Sequence, residues 1–268
     1  MKNVIKLSLI GLAISTTMVS AEEVKKVEPV KVEVNQNDIK QLINMAGKQR
    51  MLSQRIVKDY LYIGKKIATN KANKELVISM KEFRSSLNKL KISLANDEET
   101  LNLIEFTEMS LDDLEEIIKE DYTVDNAQLA IDLSETLLEG SQYIVTSLED
   151  KSKTAGAKIV NKSGKQRMLS QRIAKYYIAY QIGIKDKNTV DQMNAAVKEF
   201  QESLTYLKSY QKNTPEINVE LNKVDKLWKI VHKFYLGIEK GGLPIIVYNT
   251  TNKIMKKMNN VTKNYEKI

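Results

Sequence analysis

Gly47-Lys48-Gln49-Arg50-Met51-Leu52-Ser53-Gln54-Arg55-Ile56 returns unchanged at all ten positions as Gly164-Lys165-Gln166-Arg167-Met168-Leu169-Ser170-Gln171-Arg172-Ile173, an offset of 117 residues. A packing stripe constrains one face of a helix and leaves the others free, so identity at every position points to more than a stripe. The arginines gather in the same place. Of five arginines against 37 lysines, four are Arg50, Arg55, Arg167 and Arg172, and the fifth is Arg84. Arginine's planar fork of donors and weak hydration suit it to gripping planar oxyanions where water is scarce.

No proline, β-branched run or Asx turn interrupts the motif, and it reads as helix. At about 100° per residue, Arg50 shares a face with Ile43, Ala46, Gly47, Ser53, Gln54 and Val57, while Arg55 falls on another side with Lys48, Met51 and Leu52. The Arg50 face is small or apolar apart from the arginine itself and the Gln54 amide. A glycine inside a helix costs about 1 kcal/mol relative to alanine. Gly47, one turn before Arg50, therefore predicts close approach by another helix or a ligand. The second copy repeats the pattern with Gly164, Arg167, Gln171 and Ala174. A guanidinium on such a face needs a counter-charge, which a carboxylate of a neighbouring helix or a bound anion can supply; both readings stand for Arg50 and Arg167. Arg55 and Arg172 read as structural ion-pair residues, and Met51, Leu52, Met168 and Leu169 as core.

Around the motif the composition is that of a helical protein. Only 10 glycines and 3 prolines occur in 268 residues, 42% of the residues are hydrophobic, and lysine, glutamate, leucine, isoleucine and asparagine dominate. Residues 1–21 read as a signal peptide: Lys2 and Lys6 form a basic start, Leu7 to Ile14 a short apolar run, and Val19-Ser20-Ala21 a small-residue site with cleavage after Ala21. The apolar run is too short to span a bilayer. With no cysteine there is no lipobox, disulfide, thiol nucleophile or thiolate metal site. The expectation is a free, exported, periplasmic chain with no transmembrane helix after residue 21. Export argues against nucleic acid as the partner of a chain with formal charge +8.

Residues 22–36, alternating Glu, Lys and Val around Pro29, read as a flexible leader. Beyond it the fold class is all-α: two tandem four-helix bundles from an internal duplication, residues 37–150 and 151–268. The first copy predicts helices over about 37–66, 72–95, from an Asn96 cap to about 120, and from Thr123 onward. At the same offset Lys198-Glu199-Phe200 repeats Lys81-Glu82-Phe83, and Thr214-Pro215-Glu216 supplies a cap and an N1 proline for the third helix of the second copy. Residues 151–158 hold no proline and only Gly156 as a breaker. The fourth helix is thus expected to run on into the fifth and stack the bundles as a rod; a turn at Gly156 would instead lay them side by side. Residues 37–150 carry 14 basic and 21 acidic residues, and residues 151–268 carry 23 basic and 9 acidic; opposite net charges favour contact between the halves or between chains, and drift on solvated faces accounts for them equally well.

Catalytic readings find little support. His232, the only histidine, lies on an apolar helix face near Trp228 and Tyr235 and reads as packed structure. No Glu-x-x-His pair offers a bundle iron site, and the acidic stretch 95–150 lacks EF-hand spacing. No metal, cofactor or enzyme activity is expected.

The run Ala46 to Ile56, repeated at Gly164 to Ile173, resembles the periplasmic P-box of NarX/PilJ-type sensor domains, four-helix bundles of nitrate-responsive kinases and of pilus-linked chemotaxis transducers. The resemblance covers both halves, and the Gly-Lys-Gln-Arg-Met-Leu-Ser-Gln form is closer to the pilus-transducer branch. It implies that Arg50 and Arg167 match the arginine that binds nitrate where the first helices of two subunits meet. It further implies that Gly47 and Gly164 match the glycine that admits the anion, and that Arg55 and Arg172 match the second arginine of the box. The nitrate sensors carry a lysine two residues before the glycine; Lys162 supplies it in the second copy, and Met45 stands there in the first. The anion-binding set is then Arg50, Arg167, Gly47, Gly164, Gln54, Gln171 and Lys162, with Arg55 and Arg172 in support. The implied function is a sensor-type binding protein for nitrate or nitrite that works through a partner, as a homodimer or with a membrane-bound sensor or chemotaxis transducer. The alternative is an interaction module in which the box only pairs helices with a membrane sensor or pilus component.

Overall fold

A computed structural model describes residues 36–152 and 155–268. The signal-peptide reading (1–21) and all of the leader except Gln36 lie outside the described residues. The described residues form eight α-helices: α1 Gln36–Gly64, α2 Thr69–Ser93, α3 Glu98–Lys119, α4 Val124–Lys151, α5 Ala155–Ile182, α6 Lys187–Ser209, α7 Pro215–Leu236 and α8 Pro244–Tyr265. A 3-10 turn, Ile238–Lys240, precedes α8. No strand occurs among the described residues.

Local chemistry sets the ends. Thr123, Asp186 and Thr214 each accept a backbone N–H three residues on, and Pro215 opens α7 where its missing N–H is no loss. The cap of α3 is Asp97, bonded to Thr100 N, and not Asn96. One residue further along, the carboxylate both caps the first turn and complements the helix dipole.

Each copy forms its own four-helix bundle. Helix α1 packs on α2 and α4, and α3 closes the other side; α5 packs on α6 and α8, with α7 opposite. The all-α expectation of two tandem bundles holds. The rod does not. Helix α4 ends at Lys151, with Ser152 in extended conformation, and α5 begins at Ala155. The two bundles lie side by side with α1 against α5 along their lengths. The two helices run parallel: Arg50 bonds Asn161, and Lys58 bonds Gln171.

That packing explains why the motif is polar on several faces. Every residue of α1 from Gln49 to Tyr62 is buried, as is every residue of α5 from Gln166 to Ala179 except the half-buried Arg172. A helix buried all round normally carries apolar residues all round. Here many of the buried polar side chains find partners on the surrounding helices, and three of those bonds, Arg50 to Asn161, Lys58 to Gln171 and Lys175 to Ser134, tie one bundle to the other. At the far end of the interface, Tyr62 meets Tyr248 edge-on at 4.7 Å and donates to the Pro244 carbonyl at 2.9 Å. Among the described residues no helix is long and apolar enough to cross a membrane.

Candidate functional site

Parallel packing of α1 and α5 brings the two copies of the motif face to face. A Cβ built on Gly47 would lie 3.1 Å from Arg50 Nη2 and 3.7 Å from Arg167 Nη2; one built on Gly164 would lie 3.0 Å from Arg167 Nη2 and 3.9 Å from Arg50 Nη2. The two guanidinium ends therefore share one small space between the glycines, their Nη2 atoms under roughly 7 Å apart, close enough for one oxyanion to accept from both.

The surroundings obey the 117-residue offset. Arg50 Nη1 donates to Gln142 Oε1 on α4, and Arg167 Nη1 to Asn259 Oδ1 on α8 at 2.9 Å. Arg50 Nη2 donates to Asn161 Oδ1 at 2.6 Å. Arg167 Nη2 donates to the Asn44 carbonyl at 3.4 Å, and Asn44 is the counterpart of Asn161. Asn161 Nδ2 then donates to Glu149 and Asn44 Nδ2 to Glu266, each at 2.6 Å. Each carboxylate thus stands one amide away from its arginine. No ion pair among the described residues includes Arg50 or Arg167, and Arg50 Nε has no hydrogen-bond partner.

The electrostatics follow. Both arginines are fully or almost fully buried. Burial pushes Arg50 down to about 10 against the distant pull of Glu149 and Glu199. Burial, reinforced by the facing Arg50 charge, pushes Arg167 down to about 9. Both remain charged at neutral pH, so two like charges face each other across a desolvated gap. Burial also pushes Glu149 and Glu266 up.

Of the other residues the motif singled out, Gln54 and Gln171 turn their amides to the backbone of the neighbouring helices, Ser134 O at 2.9 Å and Thr251 O at 3.3 Å, and bond neither arginine. Lys162 lies with its ammonium over the Tyr206 ring at 4.7 Å. Arg55 lies 3.4 Å from Glu75 and 3.8 Å from Asp59. Arg172 pairs with Glu135 and donates to Gln192 at 2.9 Å. His232 sits against Trp228 at 5.2 Å. No cluster of three or more His, Cys, Asp or Glu is placed to hold a metal among the described residues.

Motif reading alone missed Asn44, Asn161, Gln142, Asn259, Glu149 and Glu266. A signal for them existed: the asparagines and the glutamates recur at the offset of 117, and position 142/259 keeps an amide.

A family model described as the N-terminal region of type IV pili methyl-accepting chemotaxis transducers matches residues 34–103 and 151–238. These two segments include the whole of α1 and α5 and with them both copies of the motif. No curated protein and no solved structure shows a match.

Proposed function

Because the chain belongs to the family of type IV pili methyl-accepting chemotaxis transducer N-terminal domains, carried as two copies, we propose that it is a periplasmic ligand-binding module of a chemotaxis or pilus signalling system, and that its ligand is a small oxyanion, nitrate or nitrite first. The observation that carries this reading is the pair Arg50–Arg167. Two buried guanidiniums face each other with neutral amides and a carbonyl as their close partners. Leaving buried charges unpaired is costly. A planar anion between them would accept charge-assisted bonds from both forks and cancel the repulsion. A family member with one copy would assemble this pair from two chains; the duplication supplies both arginines in one chain, so binding needs no homodimer. The signal passes to a membrane-bound transducer or a pilus component, and the module itself performs no chemistry.

The second reading, a helix-pairing module that binds nothing, is favoured by the amide and carbonyl partners both arginines already have. Gly164→Ala separates the two. Alanine raises helix propensity by about 1 kcal/mol, while its Cβ would stand 3.0 Å from Arg167 Nη2 in the space the anion needs. The expected outcome is a melting temperature without anion close to that of the natural chain, and nitrate affinity lower by about tenfold or more. Calorimetry and thermal melting with nitrate, nitrite and chloride check it. A natural chain that gives neither heat nor a melting shift with millimolar nitrate or nitrite leaves the pairing module as the function.

A further inference from the structure

On one side the arginine pair opens into a cleft of about 980 Å³ between α1, α2 and the end of α8, with Arg167, Asn44 and Asn259 at its inner end. Its walls carry six lysines, Lys40, Lys48, Lys81, Lys89, Lys263 and Lys267, against two acids, Glu82 and Glu266. The 117-residue offset defines the corresponding residues on the other side. There Ala157, Lys165, Lys198, Tyr206, Thr146 and Asp150 stand in place of the six lysines. Lys158, Lys162 and Glu202 stand in place of Gln41, Met45 and Ser85, and Glu199 and Glu149 in place of the two acids. The cleft side is thus net +4, and its counterpart, with four lysines and four acids, is neutral.

The lysines kept on both sides include a structural pair: Lys48 reaches Glu82 at 3.2 Å, and Lys165 pairs with Glu199 in the same way. The four found on one side only behave differently. Lys40, Lys89, Lys263 and Lys267 join no ion pair among the described residues, and Lys40 donates only to the Ile268 carbonyl at 3.3 Å. A duplication has therefore left the arginine pair symmetric and made one approach to it basic. A symmetric monovalent ion held between two arginines has no use for that difference. The volume is also at the upper end of the range of about 300–1,000 Å³ that encloses small organic ligands.

We infer that this cleft binds a small multivalent anion, a polycarboxylate or a phosphate-bearing molecule, which places one anionic group at Arg167 and the others among Lys89, Lys263 and Lys267. Clustered positive charge on concave walls focuses the field and raises both the rate and the affinity of anion capture. The inference rests on the oxyanion reading only through Arg167.

The test is calorimetry at a fixed ionic strength of about 0.15 M, where charges farther apart than about 8 Å are screened, with citrate, inorganic pyrophosphate and nitrate as probes. The proteins are the natural chain, the exposed triple variant Lys89→Ala/Lys263→Ala/Lys267→Ala, and Lys158→Ala/Lys198→Ala on the opposite side. The natural chain should bind citrate or pyrophosphate about tenfold or more tighter than nitrate. The triple variant should lose that advantage with nitrate affinity changed less than about twofold, and the opposite-side variant should keep it. Preference for one probe identifies carboxylate or phosphate as the natural group. If nitrate binds and neither multivalent anion binds tighter, or if the triple variant keeps the advantage, the cleft inference is overturned and the arginine-pair reading stands. If the multivalent anions bind through the lysines and nitrate shows nothing, the monovalent reading falls and the cleft stands.

Discussion

On the proposed oxyanion reading, Arg167→Met should remove the stabilisation by nitrate expected of the natural chain, and Arg50→Met should do the same. At a hundred times its dissociation constant a ligand stabilises by about 2.7 kcal/mol, roughly a 5–10 °C rise in melting temperature for a chain of this size. Truncating one member of a buried charge pair at a binding site costs about 2–5 kcal/mol, or about thirtyfold and upward in affinity. The remaining guanidinium can grip only one edge of the anion. The amides that hold it, Gln142 and Asn161 for Arg50 and Asn259 for Arg167, are neutral and supply no second guanidinium fork. Arg167→Lys sharpens the test. It keeps a positive charge but loses the planar fork that matches a planar anion, so most of the affinity should go although the net charge is unchanged. Equal nitrate shifts in the natural chain and in Arg167→Met would remove the arginine pair from the binding site. Loss of affinity in Arg167→Met with full affinity in Arg167→Lys would keep the charge and discard the fork.

The parts of the fold readable from the sequence are those that local chemistry decides. Apolar spacing, the Thr123 and Thr214 caps and the exact repeat fixed eight helices in two bundles, because each signal lies within a few residues of what it controls. The relation between the bundles is decided elsewhere. Residues 151–158 contain nothing that forbids a helix, and the break after Lys151 follows from contacts far along the chain: Lys175 with Glu135, Lys58 with Gln171 and Asn252, Asn44 with Glu266. Hydrophobic periodicity cannot register such contacts, since each joins polar residues on separate helices. The motif did contain the hint. A helix polar on several faces and yet required to be identical at every position is suited to burial against its own copy. The same gap explains the candidate site: the two arginines stood out by their scarcity, whereas the amides around them are ordinary surface residues until the offset of 117 places them in one shell.

Lys58→Met destabilises the fold by about 3–5 kcal/mol at pH 7.5 and by clearly less at pH 5, because it breaks a buried charge cluster from one side. Lys58, one turn beyond the first motif copy, is wholly buried. Its Nζ donates to Gln171 of the second copy at 2.8 Å and to Asn252 of α8 at 2.7 Å, and lies 3.1 Å from Asp59. Arg55, Glu75 and Tyr248 complete the cluster, with Tyr248 and Asn252 both donating to Glu75. Burial pushes Lys58 down, and it pushes Asp59 up to about 6 in spite of Lys58 and Arg55. Neither Asp59 oxygen accepts a hydrogen bond, so the cation beside it is its main support. The sign follows from linkage. The Asp59 pKa is higher folded than in the unfolded chain, where it is about 3.9, so the folded form binds the extra proton. The stability from this group is complete below about pH 4 and is lost as pH rises through 6, an effect on the order of 3 kcal/mol. Without Lys58 the carboxyl rises further, and acidification then relieves the stranded charge. Glu75 adds to this. Burial raises it, but Lys58 and Arg55 hold it below its usual range; with Lys58 gone it too rises. Glu135, raised by burial yet held low by Lys175 and Arg172, opposes the trend only as pH falls through the acidic end of the carboxylate range, below about 4.5, so the comparison is made at pH 5 and above. Urea unfolding at both pH values should show the gap between the natural chain and Lys58→Met narrowing by about 2 kcal/mol on acidification. In an Asp59→Asn background the gap should narrow by less than half as much. The same gap at both pH values would mean that Lys58 acts through its bonds to Gln171 and Asn252, and not through Asp59.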